Sequence, residues 1–387
     1  MIQLDVRVSH SWVVLVLGLV WYAYRKIRQK DRFQTTLPTA PPNKNATLSE
    51  DVYTQIEPLP NFNPETTEPI KIRPFKPKYH LTMALENTTL SDLVVIDSTY
   101  HSRISLRRQL IRDRPSDVLA ANPIITPAVT EFYEWIMGTY LPRRFPTMFK
   151  LTLSPESIKP SGLQNLATDE IIPLTQSSAE QALKLIGSHI DDDFLFLLPT
   201  ATGADSGKYK LEGFITCFPS GFNTAKKLNM KLADIHSPVP GYGDKLEKSM
   251  DRFFAGLPIG KIVKRVNWSI TTTRELHVLE GTHLTQEQLA ERQRQRENEE
   301  AGEGDEVNIA NTVLRCERQT LHRLPRTKAL VFAFKTYQYG MQELKDEGCG
   351  EELASAIDGL GLGSVPGMTV YKRQVVWGEK VKAFLRA

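Results

Sequence analysis

The residues best suited to chemistry begin in the stretch LADIHSPVPGYGDKLEKSMDRFF, residues 232–254. His236 is followed there by two prolines and two glycines, which fix and bend the chain as it leaves the imidazole. A segment with apolar residues on one helical face comes next. An imidazole held this rigidly can serve as a metal ligand, or it can simply bond backbone at a helix entry. The residue types leave both readings open.

A second set of polar side chains occupies alternate positions in two strand-like runs. In IVKRVNWSIT, Arg265 and Asn267 alternate with apolar residues, so they share one face of the strand. In TVLRCERQTL, Arg315 and Glu317 alternate in the same way. A carboxylate on such a face can hold a cationic ligand, and a guanidinium can bind a carboxylate through two hydrogen bonds. A structural Arg–Glu pair is the alternative.

Motifs for the common enzyme chemistries are missing from the sequence. It has no GxxxxGK[ST] loop, no GxGxxG after a strand, no GxSxG elbow and no HExxH. Three cysteines, Cys217, Cys316 and Cys349, form neither a disulfide framework nor a zinc-binding pattern. With a net charge of +3 and no basic stripe, nucleic-acid binding is not expected. The chain therefore needs an unusual cofactor or has a binding role.

The strand-like runs that must position these residues predict an α+β fold. Two runs separated by a Gly/Asp/Ser turn predict a hairpin, helical and loop material follows, and three further runs come after it. This order predicts an antiparallel sheet with helices on one face. The five runs are DFLFLLP, YKLEGFITCFP, IVKRVNWSIT, TVLRCERQTL and KALVFAFKTY.

Helical periodicity marks two other regions. SRISLRRQLIRD and PAVTEFYEWIMGTYL space apolar residues by three and four, which predicts an N-terminal helical region within residues 79–153. Beyond His236, Asp244 and Glu247 form a capping-box signature, which predicts that a helix begins there. The C-terminal tail is expected to begin as a strand and to finish as a short helix.

The N-terminal 32 residues have the pattern of a membrane anchor. WVVLVLGLVWYAY, residues 12–24, carries no charge, and five basic residues follow it by position 32. Positive charge after the apolar run favours a single transmembrane helix over a cleaved signal peptide, with the globular domain in the cytosol. Residues 33–77 are rich in proline, threonine and asparagine and predict a linker.

A charged stretch interrupts the predicted strands at about residues 285–308. TQEQLAERQRQRENEEAGEGDEVN is poor in apolar residues, so it predicts a solvated, mobile insertion. Docking of a partner protein is the alternative use of such a segment.

A series of long motifs spans most of the chain in order. Upstream are YHLTMAL, VIDSTYHSRISLRR and YLPRRFPTMF, and downstream are GFITCFPSGFNTAKKL, IHSPVPGY, SMDRFFAGL, RVNWSI, LRCERQTLHRLP, FAFKTY and PGMTVYKR. These motifs resemble the α-subunit family of haem-dependent oxidative N-demethylase, and the resemblance covers roughly residues 73–386. The N-terminal hydrophobic segment and the charged insertion depart from the family pattern.

The resemblance implies a haem-binding domain at residues 78–387, with a PAS-like core at about 190–340 that binds haem b. Characterised members use dioxygen to remove a methyl group from a secondary amine, giving a primary amine and formaldehyde. Their electrons come from NADPH through flavin and iron–sulfur partner subunits. A membrane-anchored haem oxidoreductase with an external reductase is therefore expected.

The resemblance supplies the haem but not the residues that hold it, and these are sought among residue types that meet its needs, namely an axial ligand, an apolar slot and cations for its propionates. His236 is the candidate iron ligand, ahead of a helix that carries Phe253 and Phe254 toward the slot. The candidates for propionate pairing are Arg265, Arg315 and Arg318. The candidates for contact with substrate or oxygen are Glu317, Asn267 and Tyr242.

Three other functions remain open at the level of sequence. The protein could be a tailoring oxidase that acts on another small molecule of a secondary-metabolite pathway. It could be a haem-binding sensor or interaction module, since the same scaffold often senses rather than catalyses. It could also be a haem-free scaffold. Oxygen consumption that depends on a substrate and a reductase separates the oxidases from the other two.

Overall fold

An antiparallel sheet with long, fully paired strands forms the centre of the protein. The computed structural model describes residues 50–153, 159–201, 203, 205–298 and 307–387. Within these ranges ten strands form, seven in one sheet and three in a smaller one. They are β1 (Glu86–Thr88), β2 (Leu119–Ala121), β3 (Phe149–Leu153), β4 (Pro160–Asn165), β5 (Glu170–Pro173), β6 (Asp193–Pro199), β7 (Tyr209–Ile215), β8 (Ile262–Thr271), β9 (Val313–Arg323) and β10 (Leu330–Gly340).

The larger sheet has the strand order β1-β8-β9-β10-β6-β7-β2, with antiparallel neighbours throughout. The pairing of β8, β9 and β10 runs without a break, so alternate side chains point to opposite faces. Strands form in all five runs predicted from the sequence, and the predicted hairpin is the β6–β7 pair. The α+β class and the antiparallel sheet are confirmed.

Twelve α-helices connect and cover the sheets in the described ranges. They are α1 (Tyr100–Asp113), α2 (Pro115–Val118), α3 (Thr126–Trp135), α4 (Leu141–Arg144), α5 (Ala179–His189), α6 (Leu232–His236), α7 (Lys248–Gly256), α8 (Gln286–Asn298), α9 (Met341–Asp346), α10 (Gly350–Leu362), α11 (Met368–Tyr371) and α12 (Gln374–Arg386). The predicted N-terminal helical region corresponds to α1 to α4.

Helices pack on both faces of the larger sheet, whereas the sequence predicted them on one. Helices α1, α3 and α5 share a core with Phe194, Phe196 and Ala333 on one face, and α10 and α12 extend that cover over β9 and β10. The opposite face carries Leu197 and Phe332 and meets the short helices α6 and α7. Both faces need cover because strand alternation places apolar side chains on each of them.

A buried ion network ties the first helical region to the sheet. Lys335 Nζ on β10 lies 2.8 Å from Asp97 Oδ2 and 3.1 Å from Asp191 Oδ2, and all three side chains are almost fully buried. The lysine also donates to the carbonyl oxygen of Val95 at 2.8 Å. These bonds fix the loop before α1 against the far side of the sheet from α6 and α7.

Two local predictions are wrong. The helix expected to begin with a capping box at Asp244 starts instead as a π-helical turn, Gly243–Glu247, and Asp244 makes no capping bond. Tyr242 and Leu246 are buried, so side-chain packing stabilises this turn in place of a capping hydrogen bond. The C-terminal tail contains no strand among its described residues, because α11 and α12 bury Met368, Trp377 and Val381 against α10.

The predicted linker and insertion both contain ordered elements. Tyr53, Ile56, Phe62 and Ile72, from the second half of the proline-rich segment, are buried in the core. In the charged stretch, residues 286–298 form α8. Residues 299–306 lie outside the described part of the chain.

The prediction of a single-pass membrane protein with a cytosolic domain is contradicted. No helix in the described ranges is long and apolar enough to cross a bilayer. Residues 1–32, on which the prediction rested, lie outside those ranges.

Candidate functional site

A cavity of about 260 Å³ lies between the second face of the sheet and the chain segments that cover it. Its floor comes from β6, β8, β9 and β10. Its walls come from α6, the π-helical turn and α7, with α11 and residues 79–85 completing the enclosure. The volume is near the lower end of the roughly 300–1,000 Å³ range of small-molecule and cofactor pockets.

One half of the cavity floor is polar because the register of β8 and β9 aligns polar side chains on a single face. The cross-strand pairs are Arg265 with Gln319, Asn267 with Glu317, and Ser269 with Arg315. The other half of the floor is apolar. It consists of Leu195, Leu197, Leu321, Phe332 and Phe334, with Leu232, Ile235, Met250 and Phe254 opposite.

His236, the last residue of α6, lines this cavity in a defined orientation. Its Nδ1 donates a hydrogen bond to the carbonyl oxygen of Leu232 at 2.8 Å. Its ring stacks on Tyr242, with centroids 5.0 Å apart and planes inclined by 15°. Burial lowers the pKa of the imidazole to about 4. The ring is therefore neutral at pH 7, and Nε2 carries the lone pair that a metal can take up.

Arg265 brings a half-buried charge to the polar floor. Among the residues that the structure describes it has no hydrogen-bond or ion-pair partner, and its Nε is buried and unsatisfied. Burial lowers the pKa of the guanidinium, although the nearby Tyr79 and Glu317 act in the opposite direction. A cation partly withdrawn from water without an ion-pair partner is costly, so this side chain is suited to an anionic ligand.

Glu317 and Asn267 face each other across the strand pair. Gln319 Nε2 donates to Glu317 Oε2 at 2.9 Å and orients the carboxylate in the cavity. Asn267 Oδ1 lies 3.5 Å from Lys372 Nζ. Tyr242, on the wall, has a buried hydroxyl without a described partner, and burial raises its pKa. The cavity thus offers an oriented carboxylate, an amide and a protonated phenol.

Several polar residues of the cavity were not predicted from the sequence, among them Lys372, Tyr371 and His283. Lys372 follows α11 with its side chain almost fully buried, and burial lowers its pKa to about 8. Tyr371 lines the wall beside it, and the His283 ring lies 4.5 Å from that tyrosine. Burial lowers the pKa of His283 to about 4. Tyr371 and Lys372 belong to the PGMTVYKR motif, and that motif could have indicated their role. His283 adjoins the charged stretch, where no sequence pattern indicates a site residue.

Three candidates serve structure rather than the cavity. The Arg318 side chain, on the other face of β9, bonds the carbonyl oxygens of Asp92 and Leu93. Strand alternation separates it from Arg315 and Glu317, so this role could have been rejected from the sequence. Arg315 borders the cavity, but its guanidinium donates to four backbone carbonyls. Phe253 packs beside Phe254 without lining the cavity.

A family model covers most of the residues that line this cavity. The model is described as "Haem-dependent oxidative N-demethylase, alpha subunit-like", and it matches residues 84–382. The match contains β1 to β10 and α1 to α11, together with His236, Arg265 and Glu317.

Proposed function

Because the chain belongs to the haem-dependent oxidative N-demethylase, alpha subunit-like family, we propose that its cavity binds haem b and a small amine. The family description identifies an oxidative enzyme. The proposed reaction takes R–NH–CH₃, dioxygen, two electrons and two protons to R–NH₂, formaldehyde and water. The electrons come from a separate NADPH-dependent reductase with flavin and iron–sulfur centres, consistent with the word "subunit" in the family description.

The residues present fit the cofactor. Haem requires an axial donor, an apolar slot and cations for its propionates. His236 would supply the donor through Nε2, because its Nδ1 is engaged by the helix carbonyl. Phe254, Phe332 and the leucines beside them would form the apolar slot. Arg265 would neutralise a propionate, and its buried, unpaired Nε is the observation that carries the proposal. When bound, haem supplies the iron at which dioxygen is activated.

The remaining polar residues would handle the substrate. Glu317 would hold a protonated amine through the carboxylate oxygen that Gln319 leaves free. Asn267, directly across from it, would orient the amine, and Tyr242 would donate a hydrogen bond from its buried hydroxyl. The enclosing helices and residues 79–85 would exclude bulk water and so strengthen these contacts.

We also propose that the core from β6 to β10 is PAS-like. Two strands, a helical segment and three strands follow one another in the chain and form five adjacent strands of one sheet. The helical segment lies against the cavity side of that sheet.

A Glu317→Gln variant is expected to keep its haem and to lose most of its activity. The amide matches the carboxylate in shape but not in charge, so the Michaelis constant for the amine should rise about 10–100-fold. Formaldehyde release and oxygen uptake with secondary amines and a reductase give the measurement. Glu379→Gln is the matched control, since that side chain is 94% exposed.

Two results would count against this assignment. Unchanged kinetics in Glu317→Gln would remove the substrate role of the carboxylate. Haem-containing protein that consumes no oxygen with any secondary amine would favour a sensor over an oxidase.

A further inference from the structure

Lys372, which is buried, and Arg265, which is half-buried, line the polar end of the cavity. Asn267, two residues from Arg265 on the same strand face, has its Oδ1 3.5 Å from Lys372 Nζ. Lys372 is 4% exposed, and this burial lowers its pKa. The positive charge of the Arg265 guanidinium lowers the lysine pKa further. Burial lowers the pKa of Arg265 as well. Two like charges in a desolvated site repel each other, and an anion that binds between them offsets this repulsion.

The contacts of Lys372 hold its ammonium in place without neutralising it. Nζ donates to the carbonyl oxygen of Trp268 and lies 3.5 Å from Asn267 Oδ1. The ammonium also lies 5.5 Å from the ring centroid of Tyr79 and 5.2 Å from that of Trp268. Each of these contact partners is a neutral dipole or an aromatic face, and the nearby Glu317 carboxylate acts on the lysine only through space, without a described ion pair.

The only carboxylate that lines the described cavity does not form an ion pair with either cation. Glu317 accepts from Gln319 at 2.9 Å, and no described salt bridge of 4.0 Å or less joins it to Arg265 or Lys372. The other charged groups of the cavity are engaged elsewhere. Lys264 pairs with Asp92 at 3.4 Å, and the two terminal nitrogens of Arg315 bond four carbonyls, although its Nε has no described partner.

We infer that Arg265 and Lys372 together form a binding site for a carboxylate group. Arg265 presents a planar pair of donors, and Lys372 adds a point charge from the adjoining wall. The carboxylate has two possible sources, a propionate of the haem or the carboxyl group of an N-methylated amino acid. The inference rests on the cavity of the proposed function, but it concerns the chemistry of the ligand and is tested by binding.

Matched porphyrins test the first source. The full chain, freed of haem, is titrated with haemin and with haemin dimethyl ester, and tryptophan quenching and visible absorption report binding. The wild type should bind the diacid at least about tenfold more tightly than the diester. Arg265→Met and Lys372→Met should each reduce this preference by about tenfold. Lys264→Met, which also changes the cavity lining, should leave it unchanged.

Matched amines test the second source. Binding of N-methylglycine and of dimethylamine is measured by calorimetry on the same variants. If the substrate supplies the carboxylate, Lys372→Met should still prefer haemin to its dimethyl ester. Its affinity for N-methylglycine should fall about tenfold, and its affinity for dimethylamine should not change.

The outcomes separate the two proposals. A wild type that binds neither porphyrin removes the proposed haem function, and the amine pair alone then decides whether the carboxylate site exists. A wild type that does not distinguish either carboxylate from its neutral counterpart overturns the inference. The same holds if Arg265→Met and Lys372→Met keep the full wild-type preference in both pairs.

Discussion

Replacing His236 with alanine is expected to weaken haem binding by about 100-fold or more. Loss of a group that only supports a metal ligand costs about 10–100-fold, and here the proposed ligand itself is removed. The side chain is well placed for the role because the Leu232 carbonyl fixes its tautomer and Tyr242 fixes its plane. The measurement is the ratio of haem absorption to protein absorption after purification, followed by titration with haemin.

His283 provides the discriminating control for this prediction. It is the other neutral histidine among the described cavity residues, held against Tyr371 and Thr282. His283→Ala should retain haem and its spectrum, and added imidazole should restore the band in His236→Ala but change nothing in His283→Ala. The reverse pattern would transfer the ligand role to His283 and leave the haem assignment in place.

The second large effect concerns stability. Arg107→Met is expected to lower the free energy of unfolding by about 3–5 kcal/mol, because it leaves a buried carboxylate without its cation. Arg107, on α1, is fully buried and lies 2.6 Å from Asp193 Oδ1. It also donates to the carbonyl oxygens of Gly187 and Asp192. The Asp193 carboxylate also accepts hydrogen bonds from the backbone N–H groups of Cys217 and Phe218. One ion pair therefore joins α1, α5 and the chain that follows β7.

Denaturant-induced unfolding of the full chain measures this loss, with Arg112→Met as the control. Arg112 lies on the same helix and pairs with Asp113 at 3.2 Å, but its side chain is 69% exposed. Its replacement should cost less than about 1 kcal/mol. Adding Asp193→Asn to Arg107→Met should recover part of the loss, since it removes the unpaired charge. Equal stability of the Arg107 and Arg112 variants would contradict this account of the ion pair.

The sheet was predictable because strand alternation is local. In β8, Trp268 and Ile270 are buried and Arg265 and Asn267 reach the cavity, as the order of residues alone indicates. The packing of Tyr53 in the proline-rich segment was not predictable, because its partners Trp135 and His322 lie far away in the chain. Isolated apolar residues show no periodicity, so their burial cannot be predicted from the local sequence.

The candidate site was predictable only in part, for the same reason. His236, Glu317 and Asn267 stand in patterned segments, and the structure brings all three to one cavity. Lys372 reaches the cavity from a helix end far beyond the end of β9 at Arg323, and no local sequence pattern indicates that it does so. Arg315 has the residue type expected of a propionate partner, but loops that become its neighbours only after folding engage both of its terminal nitrogens and leave only Nε without a described partner.

The most direct test of the account is the absorption spectrum of the full chain, purified from cells supplied with a haem precursor. The account predicts an intense haem band at a stoichiometry near one per chain, which disappears in His236→Ala and weakens in Arg265→Met. Protein that remains folded and colourless, and that takes up no haemin when it is added afterwards, would contradict the assignment of this cavity to haem.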